Sequence, residues 1–352
     1  MQIKVCYFGT YSSNYARNKV NIAGLRENGI EVVECRTDDG GLKKFFDLYK
    51  KHRLLINKYD IMVVGFMGHT LVPLAWFLTR FPRKKLVFDA FISTYDSNIF
   101  DRKKYSPYGL MALKYWFIDW LSCVLPDLVL MDAEAHADYM SRTFYIPRRK
   151  IKGLLVGCSD NIMYPRSQNK NTNDFLVHFH GTYIPTQGIP YIIRAAKMLE
   201  NKGVRFNIVG KLSTYKESID LAKELNVKNV SFFNYMPYEK LAEFMASADI
   251  CLGAFGDTEK AKRTYIFKIV EAMAMKKASI TGESPALLEF LTDRKDVLFC
   301  KLADSHDLAD KIMELKNNSI LRDNIAEGGY ELYKRRLTSR AIGRDLIGLI
   351  SR

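Results

Sequence analysis

The chain has 352 residues, 48% of them hydrophobic, and carries 53 Lys and Arg against 39 Asp and Glu, for a formal charge of +14. That length exceeds one typical domain and suits two of about 150–180 residues, each able to bury its own core. No run reaches the ~18 apolar residues of a membrane-spanning helix, and the chain enters a β-prone run from Met1 without a signal-peptide pattern. The 6 cysteines (Cys6, Cys35, Cys123, Cys158, Cys251, Cys300) are scattered, with no Cys-x-x-Cys pair. They read as reduced core residues of a cytoplasmic protein, which sets aside a disulfide framework and structural zinc. The basic excess favours an anionic partner, whether nucleotide phosphate, anionic lipid or nucleic acid. No RNA-recognition or helix-turn-helix signature accompanies it, so nucleic acid ranks last.

The first half alternates β-prone runs with helical stretches. Ile3–Phe8 predicts a strand that ends at Gly9 and Thr10, and a helix follows from about Asn14 to Asn28. Gly29 sits where a left-handed C′ residue belongs, and Ile30–Val33 is the next strand. Ile61–Gly65, Lys85–Phe88 and Asp127–Met131 are further short strands. Such alternation implies parallel strands with helical crossovers, an open doubly wound α/β sheet whose ligands bind outside the carboxyl ends of the strands. Gly9-Thr10 is a turn whose backbone can approach a phosphate or a hydroxyl, although a plain strand-to-helix turn reads the same way. His69 and Asp89 also fall at strand ends; an Asp there serves helix capping about as often as chemistry. Basic residues cluster at Lys43-Lys44, Lys50–Arg53, Arg80–Lys85, Arg102–Lys104 and Arg148–Lys150. Between the last two, Tyr105–Leu121 is aromatic-rich, with Leu110, Leu113, Trp116, Phe117, Trp120 and Leu121 on one helical stripe. A core helix is the simpler reading, and an interfacial segment beside anionic lipid is the alternative.

Tyr164–Asp174 is polar, Asn-rich and without hydrophobic period, so it reads as a linker. The expected division is a first domain over 1–165, a linker over 166–174, a second domain over 175–335 and a terminal helix over 336–352. Phe175–Phe179, Val204–Val209, Val230–Phe233, Ile250–Leu252 and Ala278–Thr281 predict a second set of strands, separated by helical patterns. Lys268 and Glu271, three apart, share one face near the start of a helix rich in small residues. Free N–H groups and the helix dipole favour an anion there, Lys268 adds charge, and Glu271 can accept hydrogen bonds from a diol. A solvated Lys/Glu pair is the plain alternative.

From Phe175 to Leu288 the chain resembles the donor-binding domain of family 4 glycosyltransferases, retaining enzymes of the GT-B fold. The resemblance rests on His178–Gly188, Phe206–Lys211, Val230–Leu241, Ala248–Gly253 and Lys268–Pro285, in the family's order and rough spacing; the first half matches more loosely. It implies two Rossmann-like domains facing a central cleft, with the C-terminal helix crossing back to the first. Lys268 and Glu271 then inherit contacts to donor phosphate and ribose, and Lys211 lies where a basic side chain often meets the phosphates. Gly181 and Thr182 fall in the first donor-side turn, and Tyr235 follows the strand that frames the base. Arg263 stands where the family places a Glu, and Asp257 or Glu259 are the candidate replacements. Thr182 and Gln187 occupy a stretch that often carries Arg and Lys, so Lys268, Lys211 or Arg263 must supply more of the positive charge. Lys276 replaces the Gly that usually ends the donor helix, at a cost of roughly 1 kcal/mol if left-handed. Glu134, ahead of Asp132 as a candidate, joins Gly9, Thr10 and His69 on the acceptor side. His136, His178 and His180 read as structural.

The implied activity is a retaining, metal-independent, hexosyltransferase-type glycosyl transfer without a cofactor, the nucleotide-diphosphate sugar being a co-substrate. Catalysis would rest on Lys268, Lys211 and backbone N–H groups at the departing diphosphate, with Asp89 as the first-domain candidate. The acceptor would be a glycan or a lipid-linked acceptor, in cell-surface polysaccharide or glycolipid synthesis, and the protein cytoplasmic or peripheral on the inner face of the membrane. A nucleotide-sugar epimerase of the same fold and a binding-only, catalytically degenerate protein are the alternatives; Arg263, Thr182 and Gln187 suggest the latter.

Overall fold

Segments of three to seven residues, most of them largely apolar, become parallel strands, and the helical stretches between them cover the sheets. The computed structural model describes residues 3–13, 15–158, 160–166, 173–210 and 216–352. The chain divides into two compact units, Met1–Gly157 with Leu337–Arg352, and Cys158–Arg336. The first division thus falls before the Asn-rich segment rather than within it.

The first unit runs β1 (Lys4–Gly9), α1 (Ala16–Glu27), β2 (Glu31–Arg36), α2 (Lys43–Arg53), β3 (Ile61–Val64), α3 (Val72–Leu78), β4 (Lys85–Phe91), α4 (Leu110–Val124), β5 (Leu128–Met131), α5 (Glu134–Phe144) and β6 (Ile151–Gly153). Its strands form one parallel sheet ordered β2-β1-β3-β4-β5-β6. Side chains alternate between the faces. Cys6 and Phe8 of β1 join one apolar cluster with Met62 and Phe88, while Val5 and Tyr7 join another with Val63 and Val87. Gly29 takes φ 81° after α1, and the Ile30 and Gly29 amides close on the carbonyls of Leu25 and Arg26, a Schellman motif.

The second unit runs β7 (Phe175–Gly181), α6 (Ile189–Met198), β8 (Val204–Gly210), α7 (Lys216–Glu224), β9 (Val230–Asn234), α8 (Tyr238–Ser247), β10 (Ile250–Leu252), α9 (Glu259–Arg263), α10 (Phe267–Ala274), β11 (Ala278–Gly282), α11 (Pro285–Leu288), β12 (Leu298–Cys300), α12 (Ser305–Asn317) and α13 (Ser319–Arg336). Its parallel sheet is ordered β12-β11-β10-β7-β8-β9, so the winding direction reverses between β7 and β10. At the end of α10, Lys276 is left-handed with φ 54°, and the Lys277 and Lys276 amides bond to the carbonyls of Ala272 and Met273. The Schellman geometry survives without glycine. The Lys276 ammonium pairs with Glu327 at 2.5 Å and lies over the Tyr330 ring, which offsets part of the backbone cost.

After α13 the chain returns to the first unit as α14 (Ser339–Ile350), which packs along α1. Thr338 caps it by accepting from the Ala341 amide at 3.2 Å, and Lys85 donates to the Ile350 carbonyl at its far end at 2.7 Å. The two helices meet backbone to backbone: a Cβ on Gly343 would collide with the Gly24 carbonyl, and one on Gly24 with Ser339 O. Gly343→Ala should therefore destabilise the protein by about 1–3 kcal/mol through overpacking, although helix propensity alone would stabilise it by about 1 kcal/mol. Urea unfolding decides between the two signs.

Candidate active site

In the second unit the carboxyl ends of β7 and β10 flank the reversal, the position at which doubly wound sheets bind ligands. The start of α10 delivers Lys268 there. Its side chain is buried, with Nζ 5.1 Å from the centroid of the Phe179 ring on β7. Among the described residues Lys268 has no hydrogen-bond or ion-pair partner. It also occupies the first turn of α10, whose N-cap Ile266 offers no side-chain cap, so the cation sits at the positive end of the dipole. Burial pushes its pKa down to about 8, opposed by the nearby Glu271 carboxylate. Three unfavourable terms converge on one ammonium, and a bound anion would relieve all three.

Glu271, one turn on, is satisfied where Lys268 is not. It is 2% exposed, and its Oε2 lies 2.8 Å from His180 Nε2, while the Tyr238 hydroxyl donates to Oε1. His180 Nδ1 is 3.1 Å from His178 Nε2, and Cys158 Sγ is 3.7 Å from the Tyr238 oxygen. An ionised carboxylate only accepts, which fixes the direction of the whole chain. His178 donates to His180, His180 to Glu271, and, from the other side, Cys158 to Tyr238 and Tyr238 to Glu271. The His178 Nδ1 left without a partner among the described residues is then a lone pair, not a stranded N–H. Burial, reinforced by His180, drives the His178 pKa well below the ordinary value and keeps it neutral, while burial and Glu271 raise that of Tyr238. Each Glu271 oxygen retains accepting capacity for one more donor. His178 and His180, read from sequence as structural, thus stand beside a candidate ligand group, and Tyr238 was not singled out at all. The available signal was the two-residue spacing of His178 and His180, which puts both on the same face of β7.

The loop after β7 is built by close backbone approach. Gln187 accepts from the Tyr183 amide at 2.9 Å, and the Phe255 and Gly256 amides donate to the carbonyls of Gln187 and Thr186. Gly188 and Gly256 allow this contact, since a Cβ on Gly188 would press on Gly256 N and one on Gly256 on Pro185 O. Gln187 therefore clamps a loop where a basic residue was expected, and a Cβ on Gly181 would collide with it. Thr182 is exposed at the loop's mouth. Tyr235, following β9, is 81% exposed and free to stack, which removes the reading that it packs within its loop. Arg263 ends α9, half-buried, and donates to the Glu259 carbonyl at 2.9 Å. Glu259 pairs with Lys262 at 2.6 Å, and Asp257 is exposed. Lys211 lies outside the described residues.

In the first unit the candidate residues are drawn into the fold's own interactions. Asp89 is fully buried and accepts from Arg17 Nε and Nη2 at 3.0 and 2.8 Å and from Asn21 at 2.8 Å. Arg17 further donates to the carbonyls of Leu154 and Leu155. This pair corrects the expectation of Asp89 as a catalytic group: removing one partner of such a buried pair costs about 3–5 kcal/mol, and its role is to tie α1 to β4. Glu134 is likewise engaged, pairing with Arg148 and accepting from the Gly153 amide at 3.0 Å, so its carboxylate joins α5 to β6. Asp132 bonds His136 Nδ1 at 2.7 Å within the core, and α5 is capped by neither. His69 is 5% exposed, 3.2 Å from the Ile92 carbonyl, and burial lowers its pKa against the pull of Asp119. Gly9 keeps φ 140° at the end of β1, where its carbonyl accepts from the Thr37 amide at 3.2 Å, and half-buried Thr10 follows it.

A cavity of about 350 Å³ in the second unit is lined by Ala248, Asp249, Lys276 and Lys277. It lies at the amino ends of β10 and β11, the wrong edge for a ligand of such a sheet, and Lys277 is spent on the carbonyls of Ala246 and Ala248. Among the described residues no group of three or more His, Cys, Asp and Glu side chains could hold a metal ion, and no helix is long and apolar enough to cross a membrane.

Residues 161–332 match the family model for glycosyl transferases group 1, which supports a transferase. An uncharacterized glycosyltransferase of Methanocaldococcus jannaschii is 25% identical over 157 residues, a match that spans 45% of this chain and 42% of that protein. Anabaena HepE, solved in complex with UDP and glucose, superposes with a TM-score of 0.75 at 15% identity, over 99% of this chain and 100% of that one. Sucrose-phosphate synthase from Thermosynechococcus elongatus does so with a TM-score of 0.75 at 13% identity, over 99% and 98%. The fold, two parallel six-stranded sheets covered by helices, is that of the GT-B glycosyltransferases.

Lys268 yields a pH signature. Below about pH 8 the ammonium is charged in both folded and unfolded chains; between there and the ordinary lysine value of 10.5 only the unfolded chain holds the proton. Stability should rise with pH across that window, by up to about 1.4 kcal/mol per unit. Denaturant unfolding of wild type and Lys268→Met at pH 7 to 10 checks this: the wild type should gain on the variant above pH 8, and parallel curves would contradict the assignment.

Proposed function

We propose that this protein is a retaining glycosyltransferase that takes its sugar from a nucleotide-diphosphate donor held by the second unit. The observation that carries the reading is the Lys268 ammonium, buried without an anion at a helix start, one turn from a carboxylate held in a fixed orientation. A nucleoside diphosphate fits that pair: phosphate oxygens meet Lys268 and the α10 amides, and the ribose diol donates to Glu271. Tyr235 is exposed to stack on the base, and Gly181, Thr182 and Arg263 are the further donor-side residues. HepE was crystallised with UDP and with UDP-glucose, which makes uridine the first base to test.

In the reaction, the bond from the anomeric carbon to the diphosphate oxygen breaks and a bond to the acceptor oxygen forms on the same face. The acceptor's proton passes to a departing phosphate oxygen, so no protein nucleophile is needed, in keeping with the burial of Asp89 against Arg17. Lys268 gains most as charge collects on the diphosphate. The acceptor is a glycan or a lipid-linked hydroxyl of the cell-surface glycan class.

Calorimetric titration with UDP, GDP, ADP and their sugars, followed by product analysis, tests the reading. One nucleotide series should bind, and the product's anomeric configuration should match the donor's. Glu271→Ala is expected to weaken binding by about 1.5–3 kcal/mol, while Lys268→Ala lowers turnover more than affinity. No binding to any nucleotide, or wild-type behaviour of both variants, would overturn it; interconversion of the donor sugar without acceptor would point to an epimerase.

A further inference from the structure

Helices α2, α3, α4 and α5 cover one face of the first sheet, and α4 wears its apolar stripe on the outside. Leu110, Leu113 and Phe117 are 86%, 63% and 50% exposed, and Tyr108 just before them is 98% exposed. The opposite side of α4 packs inward through Ala112, Cys123, Trp116 and Trp120. The sequence stripe therefore splits: the tryptophans are core, and the leucines and Phe117 are not. Core packing does not account for the exposed part. The same outer layer continues with Phe46 of α2 and Phe77 of α3, 68% and 64% exposed.

Charge around the stripe is one-sided. The single acid of α4, Asp119, is turned inward to the hydroxyls of Ser93 and Thr94 and the Tyr95 amide. Asp96 and Asp101 before the helix are buried, Asp47 of α2 pairs with Lys51, and Glu134 and Asp138 of α5 pair with Arg148. What remains outside is basic: Lys114 on α4 and Arg102, Lys103 and Lys104 immediately before it, all exposed. The Tyr105 ring, 5.9 Å from that of Tyr115, fastens this basic segment to the helix. The Arg80–Lys85 cluster contributes little, because Arg80 lies over Trp76, Arg83 pairs with Asp127, and Lys84 and Lys85 donate to the carbonyls of Tyr59 and Ile350.

We propose that the outer face of α4, with the segment Arg102–Tyr108, seats on an anionic lipid bilayer. Leu110, Leu113 and Phe117 enter the boundary between headgroups and acyl chains, and the four basic side chains lie among the lipid phosphates. The segment leading into α4 leaves the carboxyl end of β4, the edge at which such sheets bind ligands, which suits a substrate carried on a lipid. The proposal rests on this surface and not on the transfer reaction.

Sedimentation of the full chain with phosphatidylcholine vesicles, with and without phosphatidylglycerol, tests it. The protein should pellet only with the anionic vesicles, and less as salt is raised. Replacing Arg102, Lys103 and Lys104 together by Ser should lower partitioning at least about tenfold. Replacing Arg340 and Arg344 on α14, on the other face of the sheet, should leave it unchanged. The triple variant L110S/L113S/F117S should lose binding at all salt concentrations; if it does not fold, the basic variant, altered only at exposed positions, carries the test. No association with anionic vesicles, or equal loss in the α14 control, would overturn the proposal. So would a concentration-dependent dimer, seen by analytical ultracentrifugation, that L110S/L113S/F117S abolishes while vesicles bind neither form, because the stripe would then belong to a second copy of the chain.

Discussion

A buried cation without an anion is the constraint around which the second unit is arranged. Lys268 is desolvated, sits against the helix dipole and has no hydrogen-bond or ion-pair partner among the described residues, while its neighbour Glu271 is fixed by His180 and Tyr238. Proteins rarely leave a buried charge unpaired, because the desolvation penalty is not recovered. The fold holds that penalty in place by rigid means: α10 is buried along its length, and its end closes in a Schellman motif even though the left-handed position is a lysine. A site held ready in this way can spend its strain on binding an anion and on the charge that develops as that anion departs.

The first unit resolves similar chemistry differently. Asp89 and Glu134 also stand at or just after strand ends, yet each is answered by an arginine, Arg17 and Arg148, that locks neighbouring elements together. Buried and bidentate, the Arg17–Asp89 pair fixes α1 against the sheet, and α1 in turn receives α14 through the contact of Gly24 with Gly343. Exposed Arg102, Lys103, Lys104 and Lys114 lie instead on its outer helical layer, where they accompany exposed apolar side chains and not a closed site.

Much of the architecture was legible because it depends on short-range pattern. Runs such as Val204–Val209 and Ile250–Leu252 are apolar and bounded by polar stretches, and the observed β8 and β10 coincide with them to within a residue. Of the strands that escaped notice, β6 and β12, the first reads Ile-Lys-Gly, not an apolar run, and directly follows the basic run Arg148–Lys150. Lys268 and Glu271 could be found because both lie in one helical turn. Their surroundings could not: His180 meets Glu271 across 91 positions of chain and Tyr238 across 33. The same holds for Asp89, whose partner Arg17 is 72 residues away. A strand-end carboxylate looks the same in sequence whether it faces a ligand or a buried arginine, and only the fold distinguishes them. The α4 stripe shows the complementary limit, since helical periodicity groups Leu110 with Trp116 but does not say which edge of a broad stripe the core will cover.

The charge state of Lys268, an ammonium buried without an ion-pair partner among the described residues, is open to direct measurement. In protein labelled on the lysine side chains, the Lys268 resonance can be assigned by its loss in Lys268→Met and titrated by NMR from pH 6 to 11. The midpoint should lie near 8 in the free protein and move upward on addition of the nucleoside diphosphate that the protein binds, as the bound phosphate stabilises the charged form. A midpoint near the ordinary lysine value that no nucleotide shifts would contradict this role of Lys268.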